Sequence, residues 1–520
     1  MIRSLLANWT ILVPLTLVGL SACHKDATTA QTASSSAPKP PDLEPKRSFT
    51  DSEVNAAVLA TLARDPGVDA TNIRAKTTQG IVELTGQVDN LLTKRRAVRV
   101  AEAVRGVRAV SDQTKLQLKS RADADITADV NSVLLGSSVP DSYRVVPKTK
   151  SGTVTLTGSM KSYQGRLMAE RLAEGVRGVR AVDNQIAIQH GVARSDSSVA
   201  ADVTSRLHWD ALVNDGLIDV AVHDGKVILT GKVASAVERR RADLDAWVLG
   251  TAAVDDSGLT VDWAAQEADL RKHKLLGKSD AQIASAIHDA AAYDPRVSVA
   301  DILVSVTNGK AVLRGSVRSL KGRIAAEDVA RHTVGVLSVQ NDLVVKPGKT
   351  PADSALVSSV QRALLWDPYT NLYPIDVQVK AGKVTLTGNV DTPFERAQAT
   401  DVAAEVEGVK GIDNSLRVKR GELVYVYSAY FFPYSPYWES WYAAPTATKR
   451  SDTQIAEGIH EELLWSPFID AQRVNVDVTH GGAKLTGQVQ SQSERNAATE
   501  DAYEGGALTV DNELKLSGGG

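Results

Sequence analysis

Valine, isoleucine and leucine recur along this chain at four-residue intervals in six short stretches. They are Val54, Val58 and Leu62; Ile126, Val130 and Leu134; Val199, Val203 and Leu207; Ile283, Ile287 and Ala291; Leu356, Val360 and Leu364; and Ile455, Ile459 and Leu463. An apolar stripe at i, i+4 and i+8 is one buried face of a helix of about three turns. Three residues ahead of each stripe stands an aspartate: Asp51, Asp123, Asp196, Asp280, Asp353 and Asp452. A carboxylate there meets the positive end of the helix dipole, so its role is read as structural. Thr50 with Glu53, Ser279 with Gln282 and Ser451 with Gln454 add capping boxes.

After each stripe the period changes from four to two. A turn such as Asp65-Pro66-Gly67 leads to an alternating strand, as in Val474-Asn475-Val476-Asp477-Val478. A glycine-bearing turn, Asp224-Gly225 or Asn308-Gly309 for example, then signals a hairpin into a second strand. That strand closes on a glycine in every copy: Gly86, Gly158, Gly231, Gly315, Gly388 and Gly487. The expected reason is a backbone at positive φ or a close approach by the next helix. A second helix follows, read as capped by Gly106, Gly178, Gly250, Gly335, Gly408 and Gly506, and then a third strand. Each copy is thus α-β-β-α-β, and the expected fold class is α+β. Six tandem two-layer modules each set two helices against one face of a three-stranded sheet. The boundaries read are 49–119, 122–190, 195–263, 278–347, 351–420 and 450–517, with a linker at 264–277 and an insert at 421–449.

This pattern resembles the BON domain (bacterial OsmY and nodulation). The resemblance rests on the Asp-led helix, the V-x-L-x-G strand, and the G-V-x-x-V-x-N run at 178–184 and 335–341. Gly250-Thr251-Ala252-Ala253-Val254 and Gly506-Ala507-Leu508 depart from it, so the last strands of modules 3 and 6 are expected to pack differently. The resemblance implies association with phospholipid and kinship with osmotically inducible periplasmic proteins.

The N-terminus has the layout of a secretory signal: Arg3, an apolar stretch from Trp9 to Leu20, then Leu20-Ser21-Ala22-Cys23. These last four residues resemble the bacterial lipobox, which implies cleavage at 22 and acylation of Cys23. His24 in place of an aspartate implies the outer membrane, facing the periplasm. Cys23 is the one cysteine, which excludes disulfides and thiolate chemistry in the modules. Residues 23–48 read as a lipidated, polar tether, and 25–48 could reach roughly 80 Å when extended. No Gly-x-Ser-x-Gly elbow or complete phosphate loop is present, so no enzyme, cofactor or metal is expected.

A formal net charge of −3 gives no overall pull toward nucleic acid, yet the copies differ sharply. The second-helix segments carry +4 and +3 in modules 1 and 2 but −3 and −3 in modules 5 and 6. Lys94, Arg95, Arg96, Arg99, Arg105, Lys161 and Arg166 are therefore the candidate contacts to an anionic phospholipid membrane. The basic residue eight positions after each strand-closing glycine also has a structural reading, its stem lying along the sheet edge. The second deviation is aromatic: ten of the 25 aromatic residues fall between 425 and 442. Tyr430, Phe431, Phe432, Tyr434, Tyr437, Trp438 and Trp441 are the candidate contacts to envelope proteins. The expected function is a non-enzymatic envelope lipoprotein that binds anionic phospholipid and maintains integrity under osmotic stress. The alternative is a chaperone-like or scaffolding binder of envelope proteins.

Overall fold

In the computed structural model, residues 49–516 are described apart from 66, 190–193, 263–264, 266–273, 275–276, 298, 349, 419–422, 425–441 and 444–450. Cys23, the tether and the aromatic candidates Tyr430 to Trp441 lie outside the described residues. Six α+β modules follow one another. The first helices are α1 (Asp51–Arg64), α3 (Asp123–Gly136), α5 (Asp196–Trp209), α7 (Asp280–Ala292), α9 (Asp353–Trp366) and α11 (Asp452–Trp465). The second helices are α2 (Leu91–Glu102), α4 (Tyr163–Glu174), α6 (Ala236–Asp245), α8 (Leu320–Arg331), α10 (Pro393–Glu405) and α12 (Gln492–Glu504). In every module the first two strands form an antiparallel hairpin and the third pairs parallel to the second. The third strand is continuous in modules 3, 4 and 5 and broken in two in modules 1, 2 and 6. Module 6 therefore breaks as modules 1 and 2 do, while module 3 departs through a register shift between Ile228 and Thr230. Every residue of the six apolar stripes is buried.

The helix-starting aspartate does more than meet a dipole. Both carboxylate oxygens of Asp51 accept backbone N–H groups of the hairpin turn, from Gln79 at 2.7 Å and Gly80 at 2.8 Å. The same pair of bonds recurs in each module, through Asp123, Asp196, Asp280, Asp353 and Asp452. Both turn residues sit at positive φ, as Ala381 (52°) and Gly382 (80°) show. This is the two-residue geometry that suits a twisted hairpin. Ala381 and Gln79 have no intrinsic preference for it, and the aspartate holds the turn there as it does elsewhere.

The strand-closing glycines do need positive φ, but the approaching group is not the next helix. At Gly231 (φ 120°) a Cβ would lie 2.1 Å from the carbonyl oxygen of Leu217, the residue just before the hairpin's first strand. Of the later glycines, Gly506 follows the cap of its helix directly at positive φ, as expected, while the other five stand further along in the turn. Helix α2 ends at Glu102 with Ala103 as its cap, and Gly106 follows in the turn, against Val54 of α1.

The modules pair in nested order: 1 with 6, 2 with 5, 3 with 4. The carbonyl of Trp465, at the end of α11, accepts the N–H of Arg105 at 2.9 Å. Trp366 and Trp209, in the same place in their modules, accept from Arg177 at 3.1 Å and Val334 at 2.9 Å. In the 2–5 and 3–4 pairs the exchange is reciprocal, since the N–H of Glu407 donates to the carbonyl of Gly136 at 3.0 Å and that of Ala211 to the carbonyl of His332 at 2.9 Å. Short antiparallel bridges, Ser137 with Val406 and Asp210 with Thr333, join the same ends.

Replacing Gly231→Ala should destabilise the protein by about 2 kcal/mol or more, from strain at positive φ plus the clash. Denaturant unfolding of the variant against Gly216→Ala, which lies outside the strand, measures it; equal losses would remove this explanation.

Candidate functional site

The second helix is fastened to its sheet by one recurring pair. Arg166 donates to the carbonyl of Asn184 at 2.9 Å while the Asn184 amide donates back to the carbonyl of Arg166 at 3.1 Å. Arg323 with Asn341, Arg396 with Asn414 and Arg495 with Asn512 repeat this two-way clasp. Modules 1 and 3 place an aspartate where the others have asparagine, and there the clasp becomes an ion pair: Lys94 with Asp112 at 3.1 Å and Arg239 with Asp256 at 2.8 Å. The alanine three residues on, Ala97 or Ala242 for instance, is fully buried and lets the helix lie close. Lys94 and Arg166 are thus occupied in holding the module together.

The remaining basic candidates mostly point into the protein, which corrects the expectation that they face a membrane. Arg96 is buried; its Nε donates to Asp65 at 2.5 Å and its guanidinium lies 4.8 Å over the Phe394 ring of module 5. Arg105 is buried and donates from Nη2 to the carbonyls of Ser466 and Ile469 in module 6, at 2.6 and 2.5 Å. Partly buried Arg99 is held well below the usual arginine value by burial, then by Arg171 and Arg240. Arg95 is half exposed but spans to Glu174 of module 2 at 3.0 Å. Lys161 is exposed. Much of the charge that looks free along the chain therefore has acceptors, from other modules for Arg95 and Arg105 and from its own module for Arg96.

The same economy runs through the other interfaces. Arg240 of module 3 pairs with Glu102 of module 1, Lys321 of module 4 with Asp401 of module 5, and Arg64 of module 1 with Glu462 of module 6. Tyr163 stacks on Trp247 with centroids 3.6 Å apart, joining modules 2 and 3. Lys274, from the linker, is buried and reaches the carbonyls of Leu207 and Val213 at 2.6 Å each, closing the end of α5. The pairing residues Trp209, Trp366 and Trp465 were legible only as a shared position at the ends of their helices.

Burial pushes Glu405 up to about 7, with Lys321 offsetting part of the shift, and pushes Asp328 and Asp367 up to about 6. Burial, reinforced by Arg241, lowers His332 to about 3, so it is neutral. Two cavities of about 350 Å³ each lie at the paired ends. One is polar, with Arg206, Asp210, Arg241, Asp245 and His332 between modules 3 and 4; the other, between modules 2 and 5, has Leu172, Val176, Trp366 and Val406. Among the described residues, no three of His, Cys, Asp and Glu gather in a way that could hold a metal ion.

Repeated α+β modules fastened by clasps, with charges used at their junctions, define a tandem-domain protein. The chain belongs to the BON domain family, matched at residues 50–117, 122–190, 195–262, 279–347, 352–420 and 451–518. It is 33% identical over 143 residues to osmotically-inducible protein Y of Escherichia coli, covering 71% of that protein and 26% of this chain. It is 30% identical over 109 residues to outer membrane lipoprotein DolP of Haemophilus influenzae, covering 56% of that protein and 20% of this chain. Among solved structures, the C-terminal domain of CdsD, a structural protein of the type III secretion system of Chlamydia trachomatis, is 16% identical. It covers 46% of this chain and is itself covered in full, at a TM-score of 0.12.

Two outcomes follow from the buried charges. Arg96→Ala should cost about 3 kcal/mol or more in unfolding free energy, because Asp65 is left without its ion pair; a loss near that of an exposed substitution, measured by chemical denaturation, contradicts the burial. Glu405 keeps a proton in the folded state that the unfolded chain releases above pH 4.5. The stability it contributes is present below 4.5 and lost as pH rises to about 7. Glu405→Gln, which does not titrate, should gain on the parent protein across that window, and melting curves running parallel from pH 4.5 to 7 would contradict it.

Proposed function

We propose that this chain is a non-enzymatic, lipid-anchored protein of the bacterial envelope that associates with anionic phospholipid and supports envelope integrity under osmotic stress. Residues 1–22 act as the signal peptide, Cys23 carries the acyl chains, 23–48 is the tether, and the BON modules face the periplasm from the outer membrane. The observation that carries this reading is the lipobox-like Leu20-Ser21-Ala22-Cys23 ahead of six BON domains. Two relatives fit it, one named for osmotic induction and one for its place as an outer membrane lipoprotein. Two or more acyl chains suffice for stable attachment, so the modules need only weak contacts of their own.

The aromatic concentration between 425 and 442 favours a second reading, capture of envelope proteins through Tyr430, Phe431, Phe432, Tyr434, Tyr437, Trp438 and Trp441. Deleting 425–442 separates the two: it should abolish protein crosslinks while leaving vesicle association unchanged.

Cys23→Ser should remove radiolabelled palmitate from the protein and shift it from the membrane to the soluble fraction. Label or membrane fractionation retained by the variant overturns the anchor. Loss of the gene product should sensitise cells to osmotic shock.

A further inference from the structure

Each module turns outward the sheet face that its helices do not cover. The first strands show it by alternation, with inward residues buried or half-buried and outward ones exposed. On that face modules 3 to 6 neutralise a cation of the second strand with a carboxylate of the third. The pairs are Lys226 with Asp255 at 2.8 Å, Arg314 with Asp342 at 3.7 Å, Lys383 with Asp413 at 3.6 Å and Lys484 with Glu513 at 2.8 Å. Pairs of this exposed kind leave the sheet near neutral and add little stability.

Module 2 is built otherwise. Its second strand shows Thr153, Thr155 and Thr157 outward, and its outward cations lie on the flanks. Lys148 and Lys150 of the first strand stand opposite Thr155 and Thr153, so no carboxylate faces them across the hairpin. Arg180 lies against Gly152 at the hairpin end. Lys161 is exposed just beyond Ser159-Met160, which prolong the second strand past Gly158 toward the opposite end. Asp183 is the carboxylate of these three strands; it faces Thr155 and accepts from Gln185 at 2.7 Å. Apolar surface completes the face. Val146, opposite Thr157, is 53% exposed, and Tyr143, just ahead of the strand, is 63% exposed. Cations around an exposed aromatic and aliphatic pair are the make-up of a surface that settles at a lipid interface.

We propose that the outer sheet face of module 2 docks on an anionic phospholipid membrane through Lys148, Lys150, Lys161 and Arg180, with Tyr143 and Val146 entering the headgroup layer. This rests on the phospholipid reading above and moves the contact from the second helices to the opposite layer of the module. The charge is available there because, unlike in modules 3 to 6, the third strand supplies no partner to it.

The test uses the full chain carrying Cys23→Ser, cosedimented with vesicles of phosphatidylcholine mixed with phosphatidylglycerol and with vesicles of phosphatidylcholine alone. The parent chain should sediment with the mixed vesicles only, and less so as salt rises. Lys148→Glu with Lys150→Glu and Lys161→Glu should weaken this by roughly a hundredfold or more, at about fivefold per cation lost. Lys226→Glu with Lys383→Glu, on paired positions of other modules, should change it little. All these sites are exposed, and an unchanged melting curve confirms folding. If the triple variant binds like the parent, the docking face is wrong while the phospholipid reading stands. If the parent ignores both vesicles, the phospholipid reading itself fails.

Discussion

One carboxylate per module holds the fold in register. By accepting two turn N–H groups, the helix-starting aspartate ties the first helix to the tip of the hairpin, some 28 residues away in sequence. The stripe of the helix is thereby placed over the first two strands, and the strand-closing glycine lets the carbonyl just before the hairpin's first strand come within van der Waals distance. Once these strands are set, the second helix is positioned by the arginine and asparagine clasp, and the third strand by its pairing beside the second. Substituting the turn residues is tolerated, as the variety from Gln79 to His480 shows, because the strain is met by hydrogen bonds from outside the turn.

Charge acts one level higher. Within a module it is spent on the clasp; between modules it selects partners. Arg95 and Arg96 of α2 and Arg105 just beyond it look inward to Glu174, Phe394 and the carbonyls of module 6, and Lys321 finds the acidic end of α10. Buried pairs of this kind are poor sources of net stability, since desolvation offsets much of the attraction, but leaving one member alone is costly. They therefore discriminate among otherwise similar modules, which a uniformly apolar junction could not do.

Most of the fold was legible because it is local. The four-residue stripe, the alternation and the glycine each depend on neighbours within about thirty residues, and all lie where the spacing put them. Gly506 stands directly past the cap of its helix, whereas the other glycines after the second helices come a few residues later, since a turn intervenes before them. The basic candidates were misread for a physical reason: net charge along a segment does not say which way a side chain faces. The acceptors of Arg105 lie more than 360 residues downstream. The opposite sign of the last two modules was the available hint. Lys161 is exposed, and Lys148 and Lys150 carry no signal of their own along the chain, because single cations on the outward positions of a strand are ordinary.

The pairing of 1 with 6, 2 with 5 and 3 with 4 has the grammar of nested brackets. Export through an N-terminal signal delivers the chain from one end, so the innermost bracket can close as soon as module 4 emerges, and the next once module 5 follows. Module 1, delivered first, must wait for the last module before Arg105 and the Trp465 carbonyl can meet. The longest loop thus closes last, when the inner pairs have already shortened the distance it must span. Insertions near the middle of such a chain disturb only the inner bracket, whereas truncation of the C-terminal module leaves the oldest part of the polypeptide without its match.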